Sequence, residues 1–414
     1  MIRTLLHNYR QIERHILLVI LAEFCIQFIN TSFGLIFNIH LAKIGYLDHQ
    51  IADIVSYRFL GVLVIALPLG LFIKTRKIKP LLYVGTLTAP LLFLAVIACA
   101  EHHHVGLLRL SMGLLGIVYT CLEITVLPFI LRNARRETQT EAIALNASVW
   151  ALGTIVSGLV IFLLRSCHDW FSEKAILQLI ACLGFASFYC IYCIKVEEQV
   201  PATTGHPLAV ADFDWGLIGK ALVPPAIIAI GAGLTIPFLN LFFYTVHCLD
   251  SDKFAIVNAA TSVLVSFALI LVPQIKRQYG YLVAITMTQS LAIVAMLLLG
   301  ATEFYRQHWY ALYVAIFFYM MRQPLMNMAG PMTSYLVMSY VGKRNHELVS
   351  ALNSAVWSGS WYISSQIFRW LRQAGFNYAS IVFITATIYV LGVIGYYLLI
   401  QDFQRRERQG TVTE

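Results

Sequence analysis

The chain has 414 residues, of which 59% are hydrophobic and only 12% charged, about half the charged share of a soluble domain. That balance, with a mean hydropathy of +0.74, excludes a soluble globular protein and marks one that lives in a bilayer. The net charge of +8 fits contact with anionic lipid and gives no support to nucleic-acid binding.

A spanning helix needs roughly 20 mainly apolar residues, and runs of that length recur from near residue 16 to residue 400. In chain order the spans are predicted at 16–38, 51–72, 81–100, 106–131, 143–165, 175–195, 222–244, 254–275, 281–302, 309–341, 348–370 and 377–400, twelve in all. The first follows a basic "MIRTLLHNYRQIERH" and runs on toward the next without a small-residue cleavage site. It therefore reads as a retained signal-anchor. Lys and Arg accumulate on the cytoplasmic side of membrane proteins. With the amino terminus inside, nineteen of them fall in inner segments, including Arg14, Lys77, Arg135 and Arg344, against seven outside, including Lys43 and Lys174. Both termini are expected to face the cytoplasm of a bacterium, across its inner membrane. Most of the eight cysteines fall within spans and behave there as small apolar groups. Cys190 and Cys193 form a lone C-x-x-C without a second pair, and Cys167 and Cys248 lie in predicted outer loops where they could pair if the fold brings them together.

"ALNASVW" at 144–150 returns as "ALNSAVW" at 351–357, and 351 − 144 = 207 is half the chain. These segments open spans five and eleven. "FNIHLAKIGYLD" after span one resembles "LNLFFYTVHCLD" after span seven at an offset of 240 − 38 = 202. Between the halves, "VEEQVPATTGHPLAVADFDWG" at 196–216 is the one long polar stretch and reads as a linker. The expected fold is all-α and transmembrane, twelve helices as two six-helix pseudo-repeats, with bundles at 1–195 and 222–414 joined by a linker at 196–221.

A duplicated six-span unit is the parallel repeat of a secondary transporter, and at this point the chain resembles the major facilitator superfamily. The loop "GLFIKTRKIK" at 70–79 sits where that family carries a glycine, an acidic residue and a basic cluster; Gly70 and the cluster match, while Lys74 stands at the acidic position. "IKRQYG" echoes the corresponding loop of the second half through Arg277 and Gly280, and the segments at 231–243 and 322–336 are similar to bacterial members. The glycine-proline motif of the family's drug/proton antiporters is missing from span five, which has Gly153 and Gly158 but no proline. The resemblance implies a major facilitator fold with its binding site near the midplane, where the halves meet.

At about 100° per residue, Glu23, Gln27, Asn30, Thr31, Gly34 and Asn38 share one face of span one, and Arg109, Gly116, Thr120 and Glu123 one face of span four. Span five offers Asn146, Trp150, Gly153 and Ser157, and span eleven Asn353, Trp357, Ser360 and Ser364 at the same relative places. Amides and small residues on such faces also glue helices together, and the tryptophans fill a bundle as readily as they line a site. Charges are different, because an ionised group near the bilayer centre costs at least about 2.5–3.5 kcal/mol. The candidate substrate-binding residues are thus Arg322, Arg58, Asn30, Asn146, Trp150, Asn353 and Trp357, and the candidate proton-coupling residues Glu23 and Glu123. For Arg322 the competing assignment is an ion pair with a glutamate; Arg109, near a span end, is expected to snorkel.

His102, His103 and His104 read as a solvated loop rather than a metal site, and there is no phosphate-binding G-x-x-x-x-G-K-[ST] and no catalytic motif. No metal, cofactor or enzymatic activity is expected. The function expected is secondary transport of a small solute by a monomer through alternating access, coupled to protons. Three interior arginines against two glutamates lean toward an anionic or zwitterionic substrate. The alternatives are efflux of amphipathic compounds and, in another class, a membrane enzyme or lipid-handling protein.

Overall fold

The computed structural model describes residues 11–73, 76–135, 138–168, 170–196, 214–342 and 346–408, and among them all regular structure is helical. In chain order the helices are α1 (Arg14–Lys43), α2 (Asp48–Ile73), α3 (Lys79–Glu101), α4 (Val105–Asn133), α5 (Gln139–Cys167), α6 (Glu173–Leu183), α7 (Phe185–Tyr192), α8 (Trp215–Thr235), α9 (Leu239–His247), α10 (Ser251–Ala301), α11 (Ala311–Val341), α12 (His346–Gln373) and α13 (Tyr378–Arg408). Helix is the only open structure that satisfies every backbone group inside lipid.

Ten helical segments among the described residues are long and apolar enough to cross a membrane. Helices α11 and α12 fall below that mark because Arg322, Gln323 and Asn327 interrupt the first, and Asn353, Gln366 and a run of serines the second. They occupy the predicted places of spans ten and eleven. The sixth span is jointed, α6 giving way to α7 at Gly184, and the seventh is α8 and α9 joined by a 3-10 turn at Ile236–Phe238. Spans eight and nine, expected as separate helices around "IKRQYG", are the two arms of α10. Helix continues through Lys276–Tyr279 and breaks only at Gly280, whose φ of 71° is open to glycine at little cost.

The chain forms two compact units, one of 1–46, 57–205 and 251–259 and the other of 47–56, 206–250 and 260–414. In the first, α1 packs against α5, α6 and α7, and α3 against α4. Glycines let α2 and α4 touch: a Cβ on Gly116 would lie 2.1 Å from the Arg58 carbonyl oxygen, and one on Gly61 2.1 Å from that of Gly113. At the end where α1 finishes, Glu173 accepts from Lys43 at 2.6 Å and Ser251 at 2.8 Å, while Lys174 and His40 meet Glu101 at 2.9 and 3.2 Å. At the opposite end Glu13, just before α1, accepts from the Arg135 backbone N–H at 3.0 Å and the Thr138 hydroxyl at 2.9 Å.

In the second unit α8 packs against α12 and α13 over a core that includes Ile218, Ala221, Ile228 and Tyr389. The first turns of α2 belong here: Asp53 pairs with Arg369 at 2.6 Å and Asp48 with Arg372 at 2.6 Å. Each unit contains the same interhelical bond. Ser157 of α5 donates to the Phe28 carbonyl of α1 at 3.0 Å, and Ser364 of α12 donates to the Ile230 carbonyl of α8 at 2.7 Å. The separations, 364 − 157 = 207 and 230 − 28 = 202, are the two offsets of the sequence repeat.

Candidate functional site

Residues four apart on α1 stack on one face, and that face carries a buried hydrogen-bonded chain in the first unit. Gln27 Nε2 donates to Glu23 Oε1 at 3.0 Å, and the Tyr119 hydroxyl of α4 donates to Gln27 Oε1 at 2.9 Å. Asn30 Nδ2 reaches the Tyr119 hydroxyl at 3.1 Å and Gln27 Oε1 at 3.3 Å. Arg58 of α2 closes the chain by donating to Asn30 Oδ1, its guanidinium carbon 5.1 Å from the centroid of the Tyr119 ring. Gly116 admits the α2 backbone at the Arg58 carbonyl and so sets where that guanidinium begins.

Glu123 stands one turn beyond Tyr119 on α4, exposed, and within electrostatic reach of Arg58 and Glu23. Among the described residues neither glutamate is in an ion pair closer than 4.0 Å, and Glu23 has Gln27 as its hydrogen-bond partner. The cluster holds one cation and two carboxylates. A single proton makes it neutral.

The second unit holds the largest fully buried side chain among the described residues, Arg322 on α11, 1% exposed. Its Nη1 donates to Gln323 Oε1 at 2.9 Å and its Nη2 to the Tyr389 hydroxyl of α13 at 3.2 Å. The guanidinium carbon lies 5.9 Å from the Tyr389 ring centroid. All these partners are neutral, and among the described residues no carboxylate pairs with it. Among the described residues, then, no ion pair of the kind that competes in the sequence reading is present at Arg322. Gly231 of α8 makes room for the Tyr389 ring, since a Cβ there would come within 2.8 Å of it.

The structure thus gathers Glu23, Asn30, Arg58 and Glu123 in one unit and sets Arg322 in the other. The remaining candidates join neither network. Asn146 is half-buried on α5 with an Oδ1 that has no hydrogen-bond partner, and Trp150 is 54% exposed. On α12, Asn353 is half-buried and Trp357 packs on the second unit's core, its ring centroid 6.5 Å from that of Trp361. Arg109 lies 5.7 Å from the Tyr57 ring centroid, His102–His104 are exposed, and the eight cysteines are free thiols. Lys74 falls outside the described residues.

Sequence reasoning missed Tyr119, Gln323 and Tyr389. The signal for Tyr119 was its place four residues before Glu123 on an already polar face; Tyr389 had none, because α13 is otherwise apolar there.

The family model for the Major Facilitator Superfamily matches residues 19–365. The chain belongs to the major facilitator superfamily. This facilitator is accordingly a multi-pass membrane protein built as a secondary transporter. Among solved structures, a bacterial homologue of the human lysosomal transporter Spinster, inward-facing and occupied, matches with a TM-score of 0.73 at 12% identity over 94% of this chain and 97% of that one. A D-xylose-proton symporter gives 0.72 at 13% identity over 92% and 96%, and the nucleoside transporter NupG 0.74 at 11% over 93% and 99%. At such identities these likenesses show the facilitator's fold alone. A search of curated protein sequences finds no match.

Proposed function

We propose that this facilitator carries a small carboxylate-bearing solute, anionic or zwitterionic, by alternating access across a bacterial inner membrane, coupled to protons and with both termini cytoplasmic. The observation that carries this reading is Arg322, a buried cation whose partners are all neutral. Leaving an ionised group in the bilayer interior is costly. The two hydrogen bonds use two of five N–H donors, so a carboxylate that displaces Gln323 or Tyr389 would gain a planar, two-point grip and supply the missing counter-charge. In the other unit, a cluster that one proton neutralises supports proton coupling.

The test is a thermal-shift screen of the purified protein against carboxylates, amino acids, sugars and amphipathic cations, since a ligand raises apparent stability by RT ln(1 + [L]/Kd). Carboxylates are expected among the hits, with uptake into proteoliposomes falling about tenfold to a hundredfold in Arg322→Lys, because a point charge on a flexible stem does not replace the fork. Hits confined to neutral or cationic compounds, or full uptake by the Lys variant, would overturn the reading.

A further inference from the structure

A cleft of about 630 Å³ opens where α3 begins and the chain leaves α7, within the roughly 300–1,000 Å³ of small-molecule sites. Lys77, Lys79 and Lys195 line it, with Tyr83 and Val84 below them. Lys79 Nζ donates to the Ile194 carbonyl at 2.6 Å and ties the segment after α7 to the start of α3. That tie sets Lys195 on the same cleft as Lys77. Both are exposed, and among the described residues neither has a hydrogen bond or ion pair; Glu197 and Glu198, which follow in the sequence, lie outside the described residues. Helix α3 has no acidic residue in its first turn and no side-chain cap at Ile78, so the positive end of its dipole adds to the lysines.

The wall below the cations is aromatic and then aliphatic. The Lys79 ammonium is 5.8 Å from the Tyr83 ring centroid, Phe188 meets Tyr83 edge-on at 6.2 Å, and Tyr192 stacks on Phe188 at 6.5 Å. Tyr192 and Tyr189 are 67% and 68% exposed, and Val84 60%. Exposed tyrosines at helix ends mark head-group depth. Cations, then aromatic rings, then an apolar side chain match the order of a phospholipid from head group to acyl chain, whereas a soluble phosphate would use the cations alone.

We propose that this cleft holds the phosphate head group of an anionic phospholipid, bridged by Lys77 and Lys195. The inference stands apart from the solute and the coupling ion, and from which leaflet this end faces. Native mass spectrometry of the full chain with phosphatidylglycerol or phosphatidylcholine tests it. Phosphatidylglycerol is expected to stay bound under conditions that strip phosphatidylcholine. Lys77→Gln and Lys195→Gln should each weaken it about fivefold and the double variant about 25-fold, following the roughly 1 kcal/mol that a basic residue contributes near an anionic surface. Arg405→Gln, a basic change on α13, should leave it unchanged, and equal melting temperatures in phosphatidylcholine check that the lysine variants fold. Three results overturn the proposal: a double variant that binds phosphatidylglycerol like the wild type, an equal loss in Arg405→Gln, or displacement of the lipid by millimolar inorganic phosphate or glycerol phosphate, which assigns the cleft to a soluble anion.

Discussion

Glu123 lies within electrostatic reach of Arg58 and of Glu23, and among the described residues neither glutamate is in an ion pair with that cation. Two carboxylates and one guanidinium leave one charge uncompensated, and a proton is the least costly group that can come and go to balance it. Hydrogen bonds between 2.9 and 3.3 Å join Glu23, Gln27, Tyr119 and Asn30, and Asn30 accepts from Arg58, so a change at either end reaches the other. Glutamine mimics the protonated acid. Glu23→Gln or Glu123→Gln is therefore expected to keep solute exchange across proteoliposomes while accumulation driven by a pH gradient falls to the level of an uncoupled control. Both single variants and the double one accumulating solute with unchanged pH dependence would make the glutamates structural. The charged members of this cluster were legible in the sequence, because a charge within an apolar run stands out. Tyr119 and Tyr389 were not, since a tyrosine in such a run reads as an apolar filler until the fold shows what its hydroxyl touches.

At the scale of helices, the repeat offsets of 207 and 202 predict matching interhelical bonds, and Ser157 with Phe28 and Ser364 with Ile230 provide them. The α2–α4 crossing was legible only as one glycine on a polar face, because its partner is the carbonyl of Arg58, a backbone atom no side-chain pattern marks. Gly116→Ala puts a Cβ where only 2.1 Å is available, and overpacking of this kind costs about 1–3 kcal/mol. It should also push Arg58 from Asn30, so transport falls further than stability explains, while Gly106→Ala on the same helix, with nothing within 4 Å, is neutral in both. Equal losses in the two variants, measured by thermal unfolding and uptake, would deny Gly116 that role.

Glu13 offers a pH test at the end of α1. Burial raises its pKa, but hydrogen bonds from its own backbone, from the Arg135 N–H and from the Thr138 hydroxyl, with the Arg135 charge, outweigh that and hold it below the usual carboxylate range. A depressed pKa stabilises the folded state above the unfolded value of about 4.3, and the contribution is lost as pH falls through the lower, folded value. The apparent melting temperature of the wild type should thus fall below about pH 4.3 more steeply than that of Glu13→Gln, which at pH 7 costs about 1–2 kcal/mol in lost charge-assisted bonds. Parallel pH profiles would show that Glu13 does not secure this end.

For the whole molecule, the sorting of cations sets the orientation. At the end of the first unit where α1 finishes, Lys43, Arg165 and Lys174 all meet Glu101 or Glu173, so their charges are largely offset. At the other end Arg135 pairs with Glu13 at 3.5 Å, Arg132 donates to the Ile73 and Arg76 carbonyls at 2.9 Å, and Lys77 and Lys195 stand without ion pairs among the described residues. Among the described residues the ion pairs of the first unit thus offset more positive charge where α1 finishes than at the other end, in the same sense as the lysine and arginine count of the sequence. A basic flank is held on the cytoplasmic side during insertion. Reporters fused after Lys77, Arg135 and Arg344 are expected to read cytoplasm, and those after Lys43 and Lys174 the outside. A cytoplasmic signal after Lys174 would mean that α5 does not cross, and with an odd number of spans in the first half the second could not repeat it in parallel.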